Sequence, residues 1–142
     1  MSQPPLEPRR RGVAAVVVRD ARLLVIRRAR RVVAPGAVCF PGGGVEPGES
    51  EPEALVRELR EELGIEVQPL DCVWRSITPW NVEMAWWRAV LGNDAQLVAN
   101  SYEVEAAWWL SPRELLARDD LLPSNREFLE AATENSWLLD PR

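Results

Sequence analysis

The chain has 142 residues, 46% of them apolar, and a net charge of −5, which suits one globular domain with its own core and excludes the basic field that nucleic acid binding needs. It contains no His, and all 17 basic residues are Arg; His-based dyads and triads, His-ligated zinc, a P-loop Lys and Schiff-base chemistry are therefore excluded. Carboxylates and a metal ion held by them remain as the main chemistry. Cys39 and Cys72 are too few and too unpatterned for a disulfide scaffold and are expected as buried thiols in a reducing cytosol. No apolar run reaches the roughly 18 residues of a membrane span, and the N-terminus lacks the apolar core of a signal peptide. A cytoplasmic protein without a membrane or nucleic acid partner is expected.

In chain order, residues 1–11 hold three Pro and three consecutive Arg without periodicity and read as a flexible lead-in. Gly12 to Val18 is rich in Val and Ala, Arg19-Asp20 marks a turn, and Ala21 to Arg28 continues through Leu-Leu-Val-Ile, which predicts a central antiparallel hairpin. Arg27, Arg28, Arg30 and Arg31 follow as a charge cluster, ordinarily a solvated loop. Val32 to Val38 then leads to Phe40-Pro41-Gly42-Gly43-Gly44, where the backbone can bend without a side-chain clash.

The next helix is spelled out locally. Ser50 is a good N-cap, Glu53 completes a capping box, and Pro52 falls in the first turn, where a missing N–H costs little. Gly64 supplies the left-handed stop, so the spacing predicts a helix over Glu51 to Leu63. Leu55, Leu59 and Leu63 form its buried stripe, while Glu58, Glu61 and Glu62 crowd onto a neighbouring face. Like charges at that spacing destabilise a helix by a few tenths of a kcal/mol per pair (about 0.2–0.5). A hard divalent cation resolves the conflict, since it takes carboxylate oxygens and is commonly shared with substrate phosphates.

Beyond the helix, Glu66 to Thr78 and Val82 to Leu91 predict two strands, and Ser101 to Leu110 a third. Ser111-Pro112-Arg113-Glu114 is a second capping box, opening a short helix through about Ala117. A last helix is predicted over Asn125 to Thr133, and 135–142 forms a tail whose Trp137 can dock on the body. Trp86-Trp87 and Trp108-Trp109 place adjacent rings on opposite strand faces, so one of each pair is a candidate for stacking on a base. There is no internal repeat or linker. Strands interleaved with helices imply a single α/β domain with a mixed sheet between helices.

The stretch from Gly43 to Ile65 matches Gly-x5-Glu-x7-Arg-Glu-U-x-Glu-Glu-x-Gly-U, with U apolar, at every fixed position: Gly43, Glu49, Arg57, Glu58, Leu59, Glu61, Glu62, Gly64 and Ile65. A chance match at one start is on the order of one in a billion at average residue frequencies. The pattern resembles the Nudix box, and the chain is similar to MutT-like nucleoside triphosphate pyrophosphohydrolases. That resemblance implies a Nudix-type α/β/α sandwich with a mixed central sheet. It also implies Mg²⁺-dependent cleavage of a nucleoside triphosphate to monophosphate and pyrophosphate, with Mn²⁺ able to substitute and nucleotide-pool sanitation as a role of that branch.

The resemblance places the metal on Glu61, Glu62 and the main-chain oxygen of Gly42. Glu58 counts in that set and is also the candidate general base, oriented by Arg57, while Glu49 ties the loop to the helix. A distal carboxylate is expected from the later strand at Glu103, with Glu105 as alternate. Arg28 matches an Arg that helps hold the nucleotide, and Pro123-Ser124-Asn125 resembles a Pro-x-Asn element whose Asn reads the base. Asn125 as a plain helix cap is the alternative. Gly44 stands where some members carry Lys. Pro79 keeps an ADP-ribose or nucleotide-sugar pyrophosphatase as the second reading, and a non-catalytic Nudix-fold module is the third. The expected partner is a small-molecule nucleotide, bound to a monomer or homodimer.

Overall fold

The computed structural model describes residues 9–92 and 94–134; the tail 135–142, with Trp137, and most of the lead-in lie outside them. Strand β1 (Arg10–Val16) organises the rest. Its apolar run is buried on both faces: Val13, Ala15 and Val17 join a core under the helix α1 (Glu51–Leu63), while Ala14 and Val16 join a second core that includes Phe128 and Leu129. A strand buried on both faces belongs in a sheet centre. Accordingly β1 pairs antiparallel with β5 (Gly42–Gly44) and parallel with β7 (Val82–Leu91), and β7 pairs antiparallel with β6 (Val67–Ile77). The result is a mixed sheet in the order β5-β1-β7-β6.

The expected hairpin is corrected by this arrangement. Across a tight turn, in which Asp20 and Ala21 have φ of +51° and +61°, strand β3 (Arg22–Arg28) pairs with the short β2 (Val18–Arg19) and not with β1. Both flanks of β1 are taken by β5 and β7, so β3 has no edge of β1 to join. It builds a second, antiparallel sheet with β2, β4 (Val38–Cys39) and β8 (Val104–Leu110).

The helix α1 has the predicted limits: Ser50 and Glu53 form the reciprocal capping box, and Gly64 closes the end at φ +63°. Leu55, Leu59 and Leu63 are fully buried against the first core. Two further helices, α2 (Pro112–Leu116) and α3 (Pro123–Glu134), contribute Leu115, Phe128, Leu129 and Ala132 to the other core, which completes the α/β/α layering. Strand β8 starts at Val104 rather than Ser101, leaving Glu103 in the preceding turn, and α3 starts at Pro123, two residues earlier than expected. A Pro is favourable at a helix start because its absent N–H would have no partner there. Cys39 is buried and Cys72 half-buried, both as free thiols. No helix among the described residues is long and apolar enough to cross a membrane.

The tryptophan pairs do not supply a stacking surface. Trp86 is buried and stacks on Phe128 with centroids 4.3 Å apart, and Trp87 donates its indole N–H to Glu51 at 2.9 Å. The guanidiniums of Arg27 and Arg118 stand over Trp108, and that of Arg19 over Trp109.

Candidate active site

Strand β5 is three glycines, and two of them have identifiable reasons. A Cβ on Gly43 would lie 2.3–2.5 Å from the carboxylate of Glu58, and one on Gly42 would lie 2.0 Å from the carbonyl oxygen of Val13. The bare strand lets α1 bring its acidic face against the sheet edge. There Glu62, 5% exposed, accepts the Gly42 N–H at 2.9 Å.

Arg57 is the hub of this edge. It grips Glu49 with two hydrogen bonds (2.7 and 2.9 Å), donates to the Gly44 carbonyl (2.8 Å), and uses its remaining amino group on Glu58 (3.0 Å) and Glu61 (3.3 Å). Planar fork geometry makes Arg suited to several such bonds at once. Glu49 also accepts the Glu46 N–H, so it ties the loop to the helix as expected, and the Arg57 bond holds its carboxyl down to about 2.

Glu58, Glu62 and Glu103 converge: one oxygen from each lies within 4.8 Å of the others. Glu61 does not join them; its side chain is 49% exposed and turned to Arg57. Glu105 is exposed and also outside the group. Burial pushes the Glu62 carboxyl up to about 8, helped by the charge of Glu58 and opposed by the Gly42 N–H. Burial likewise raises Glu58, against the pull of Arg57. Three hard oxygen donors, one of them buried on a single peptide N–H, fit a divalent cation, whose charge would offset both the burial and the mutual repulsion that raise these groups.

What places Glu103 there is Asn100, a residue with no motif to announce it. Its backbone N–H donates to the Glu62 carbonyl (2.8 Å) and its side-chain amide to the Glu61 carbonyl (3.3 Å), satisfying the open C-terminal end of α1. Its own carbonyl accepts from Glu103 and Val104, and its side-chain oxygen from the Tyr102 N–H. The turn carrying Glu103 is thereby fastened to the helix that carries Glu58 and Glu62.

Beside this cluster lies a cavity of about 490 Å³ lined by Arg28, Phe40, Gly42, Gly44, Trp80 and Asn125, among others. Arg28 donates to the Val33 carbonyl and its charge is felt at Glu62. Asn125 is 6% exposed and sits inside the first turn of α3; instead of capping that helix, its side-chain oxygen accepts the Phe40 N–H at 2.9 Å and its amide donates to Ser124 Oγ. The capping alternative is thus replaced by a clamp between α3 and the approach to β5. Because a peptide N–H can only donate, the Asn125 oxygen must face Phe40, which leaves an amide hydrogen as what Asn125 can still offer. Cys39 also lines the cavity, with its thiol pushed up to about 11 by burial, and is not a nucleophile at neutral pH.

A sequence model of the NUDIX domain matches residues 8–132. The chain is 37% identical over 122 residues to the CTP pyrophosphohydrolase of Escherichia coli (strain K12), covering 84% of this chain and 87% of that protein. It is 44% identical over 69 residues to the nucleoside triphosphatase NudI of Salmonella arizonae, covering 48% of this chain and 45% of that protein. Among solved structures, the MutT protein from Methanosarcina mazei Go1 aligns with a TM-score of 0.80 at 25% identity, covering 94% of this chain and 99% of that one. The E. coli ORF135 protein aligns at 0.72 and 32% identity, covering 94% of each chain. The match runs from ahead of β1 into α3 and takes in every carboxylate of the cluster, and the chain belongs to the Nudix domain family.

Proposed function

We propose that this protein is a Mg²⁺-dependent nucleoside triphosphate pyrophosphohydrolase that converts its substrate and water to a nucleoside monophosphate and pyrophosphate, with Mn²⁺ able to replace Mg²⁺. The observation that carries this reading is the convergence of Glu58, Glu62 and Glu103, two of them against the glycines of β5 that line a nucleotide-sized cavity. The activities for which the relatives are named, a CTP pyrophosphohydrolase and a nucleoside triphosphatase, support the same reading.

In this reading Glu62, Glu103 and the Gly42 carbonyl hold the cation, with Glu58 beside them and Glu61 a reserve ligand that must leave Arg57 to join. The bound ion would neutralise the phosphate oxygens and the leaving group. Glu58 takes the proton of the attacking water. One of its oxygens is anchored by Arg57, which leaves the other free to accept that proton. As the water oxygen bonds to phosphorus, the bridging P–O bond breaks and its electron pair leaves with the pyrophosphate. Arg28 steadies the phosphates, and Asn125 offers its amide hydrogen to an acceptor on the base. A cytoplasmic location belongs to the same proposal.

The test is product analysis across ribo- and deoxyribonucleoside triphosphates, ADP-ribose and nucleotide sugars, each with Mg²⁺ and with Mn²⁺. Monophosphate plus pyrophosphate from a triphosphate is expected. Faster cleavage of ADP-ribose or a nucleotide sugar would establish the second reading, and no turnover of any of them a binding module.

A further inference from the structure

We propose that Trp80 is the stacking plate for the nucleobase, a substrate-binding residue, a role that rests on the nucleotide substrate inferred above. Trp80 lies outside the box, in the turn that joins β6 to β7. Among the described residues it is the one tryptophan with neither a ring, a guanidinium nor a hydrogen-bond partner. The other described tryptophans are all engaged: Trp74 and Trp86 in the aromatic cluster with Phe128, Trp87 on Glu51, and Trp108 and Trp109 beneath arginines. Trp80 is 54% exposed and lines the cavity that Asn125 and Arg28 also line.

The turn holding it is pinned rather than loose. Thr78 and Val82 exchange hydrogen bonds, Thr78 N–H to the Val82 carbonyl (2.9 Å) and Val82 N–H to the Thr78 hydroxyl (3.2 Å). Asn81 donates its N–H to the Thr78 carbonyl (3.0 Å) at a φ of +60° and accepts from Arg9 Nε (2.8 Å) through its side chain. Asn tolerates that left-handed conformation better than most residues, and Pro79 restricts the backbone just before the indole. A large ring is therefore presented at a fixed place with its π-faces unused.

The cavity around it suits a flat ring. The β1 register sets Gly12 between Gly44 and Met84, and a Cβ on Gly12 would lie 2.6 Å from the Met84 sulfur, whereas Gly44 has open space where a Cβ would stand. The Met84 side chain thus covers the floor at Gly12 and leaves it bare at Gly44, and Val82 and Met84 line the cavity together with Trp80. An aromatic base enters along this floor and stacks on the indole, its edge offered to Asn125 and its phosphates directed over β5 toward the carboxylates. Stacking is tolerant of base identity, because every base has a π-face. Trp80 therefore sets affinity for nucleotides as a class, and Asn125 ranks them.

The experiment compares wild type with Trp80→Phe, Trp80→Leu and Trp80→Ala. It reads kcat and KM for the best triphosphate, and indole fluorescence during titration with the corresponding nucleoside monophosphate in chelator. KM is expected to rise roughly 5- to 100-fold in Trp80→Ala, the range that loss of one base–aromatic stack gives. Trp80→Leu should remain impaired, Trp80→Phe should be largely restored, kcat should change little, and the nucleotide-induced quench should vanish in Trp80→Phe. A KM within twofold of wild type in Trp80→Ala, or Leu rescuing as well as Phe, would overturn the proposal. The chelator titration needs no turnover, so it still tests the stack if the protein hydrolyses no triphosphate; a wild-type quench retained in full by Trp80→Phe likewise overturns it.

Discussion

Replacing Glu62 with Gln should make the metal-free protein more stable, although it removes a residue of the proposed active site. Gln keeps a side-chain oxygen for the Gly42 N–H but never ionises. In wild type the folded-state carboxyl titrates near 8 instead of 4.5. Between those values the folded protein binds more protons than the unfolded chain, so stability is fully present below about pH 4.5 and falls as pH rises toward 8. At about 1.4 kcal/mol per pH unit, the loss reaches about 3–4 kcal/mol by neutral pH. Glu62→Gln escapes that loss, and after the cost of burying its amide a gain of about 1–3 kcal/mol is expected, or about 3–10 °C in Tm for a domain of this size. The assay is thermal and urea unfolding in chelator from pH 4.5 to 8.5, repeated with saturating Mg²⁺. The variant should lie about 1–2 kcal/mol below wild type at the acid end, where only the cost of burying its amide separates them, and should overtake wild type as pH rises. With Mg²⁺ the order should reverse, because about 2.7 kcal/mol accrues to a protein at a hundredfold excess of ligand over Kd, and only wild type keeps the full donor set. A variant less stable than wild type in chelator at pH 7.5, or a gap independent of pH, would refute the metal reading of this carboxylate.

Glu103→Gln should raise the Mg²⁺ concentration for half-maximal activity by an order of magnitude or so while Glu105→Gln leaves it alone, since only Glu103 stands with Glu58 and Glu62; equal effects in a metal titration would remove Glu103 from the site. Asn125→Ala leaves the buried Phe40 N–H unpaired, so a loss of about 1–3 kcal/mol in urea unfolding is expected. The same change should lower kcat/KM most for bases that present an acceptor to the amide, and an unchanged ranking of triphosphates would reduce Asn125 to a clamp. Glu51, held down to about 2 by Arg75, Arg11 and the Trp87 N–H, contributes stability that is complete above about pH 4.5 and lost as pH falls toward 2. Because both arginines are half-exposed, we expect about 1–2 kcal/mol, and Glu51→Gln should flatten the acid limb of the unfolding curve.

The parts that were legible in the sequence are those fixed by neighbours along the chain. The limits of α1 follow from Ser50, Glu53 and Gly64, each acting within a few residues, and the second capping box opens α2 for the same reason. Strand β1 carried its signal too, since an unbroken run of Val and Ala marks burial on both faces, but such a run does not name the partners of the strand. Three glycines in succession read as a turn because their propensity for strand is low; only pairing with β1 makes them β5. Glu103 was reached only through the resemblance, and Trp80 not at all. The position of Glu103 relative to Glu62 depends on what Asn100 bonds to at the end of α1, and the exposure of Trp80 depends on where the rest of the fold leaves the turn between β6 and β7.

The glycines and the carboxylates of the box are parts of one arrangement rather than separate conserved-looking features. Alternation along a strand sends neighbouring positions to opposite faces, so Gly43 meets Glu58 on the α1 side while Gly44 opens on the cavity side. With side chains on β5, the acidic face of α1 would be held away from the sheet edge, and the edge itself would stand between the carboxylates and whatever fills the cavity. Without them, Glu62 reaches the Gly42 peptide directly, and Arg57 spans the strand to bind the Gly44 carbonyl while holding Glu49 and Glu58. The thickness of the backbone is then all that separates the acidic cluster from the cavity. A ligand with a flat apolar end and a polyanionic end, such as the proposed nucleotide, can occupy both sides of that divide at once.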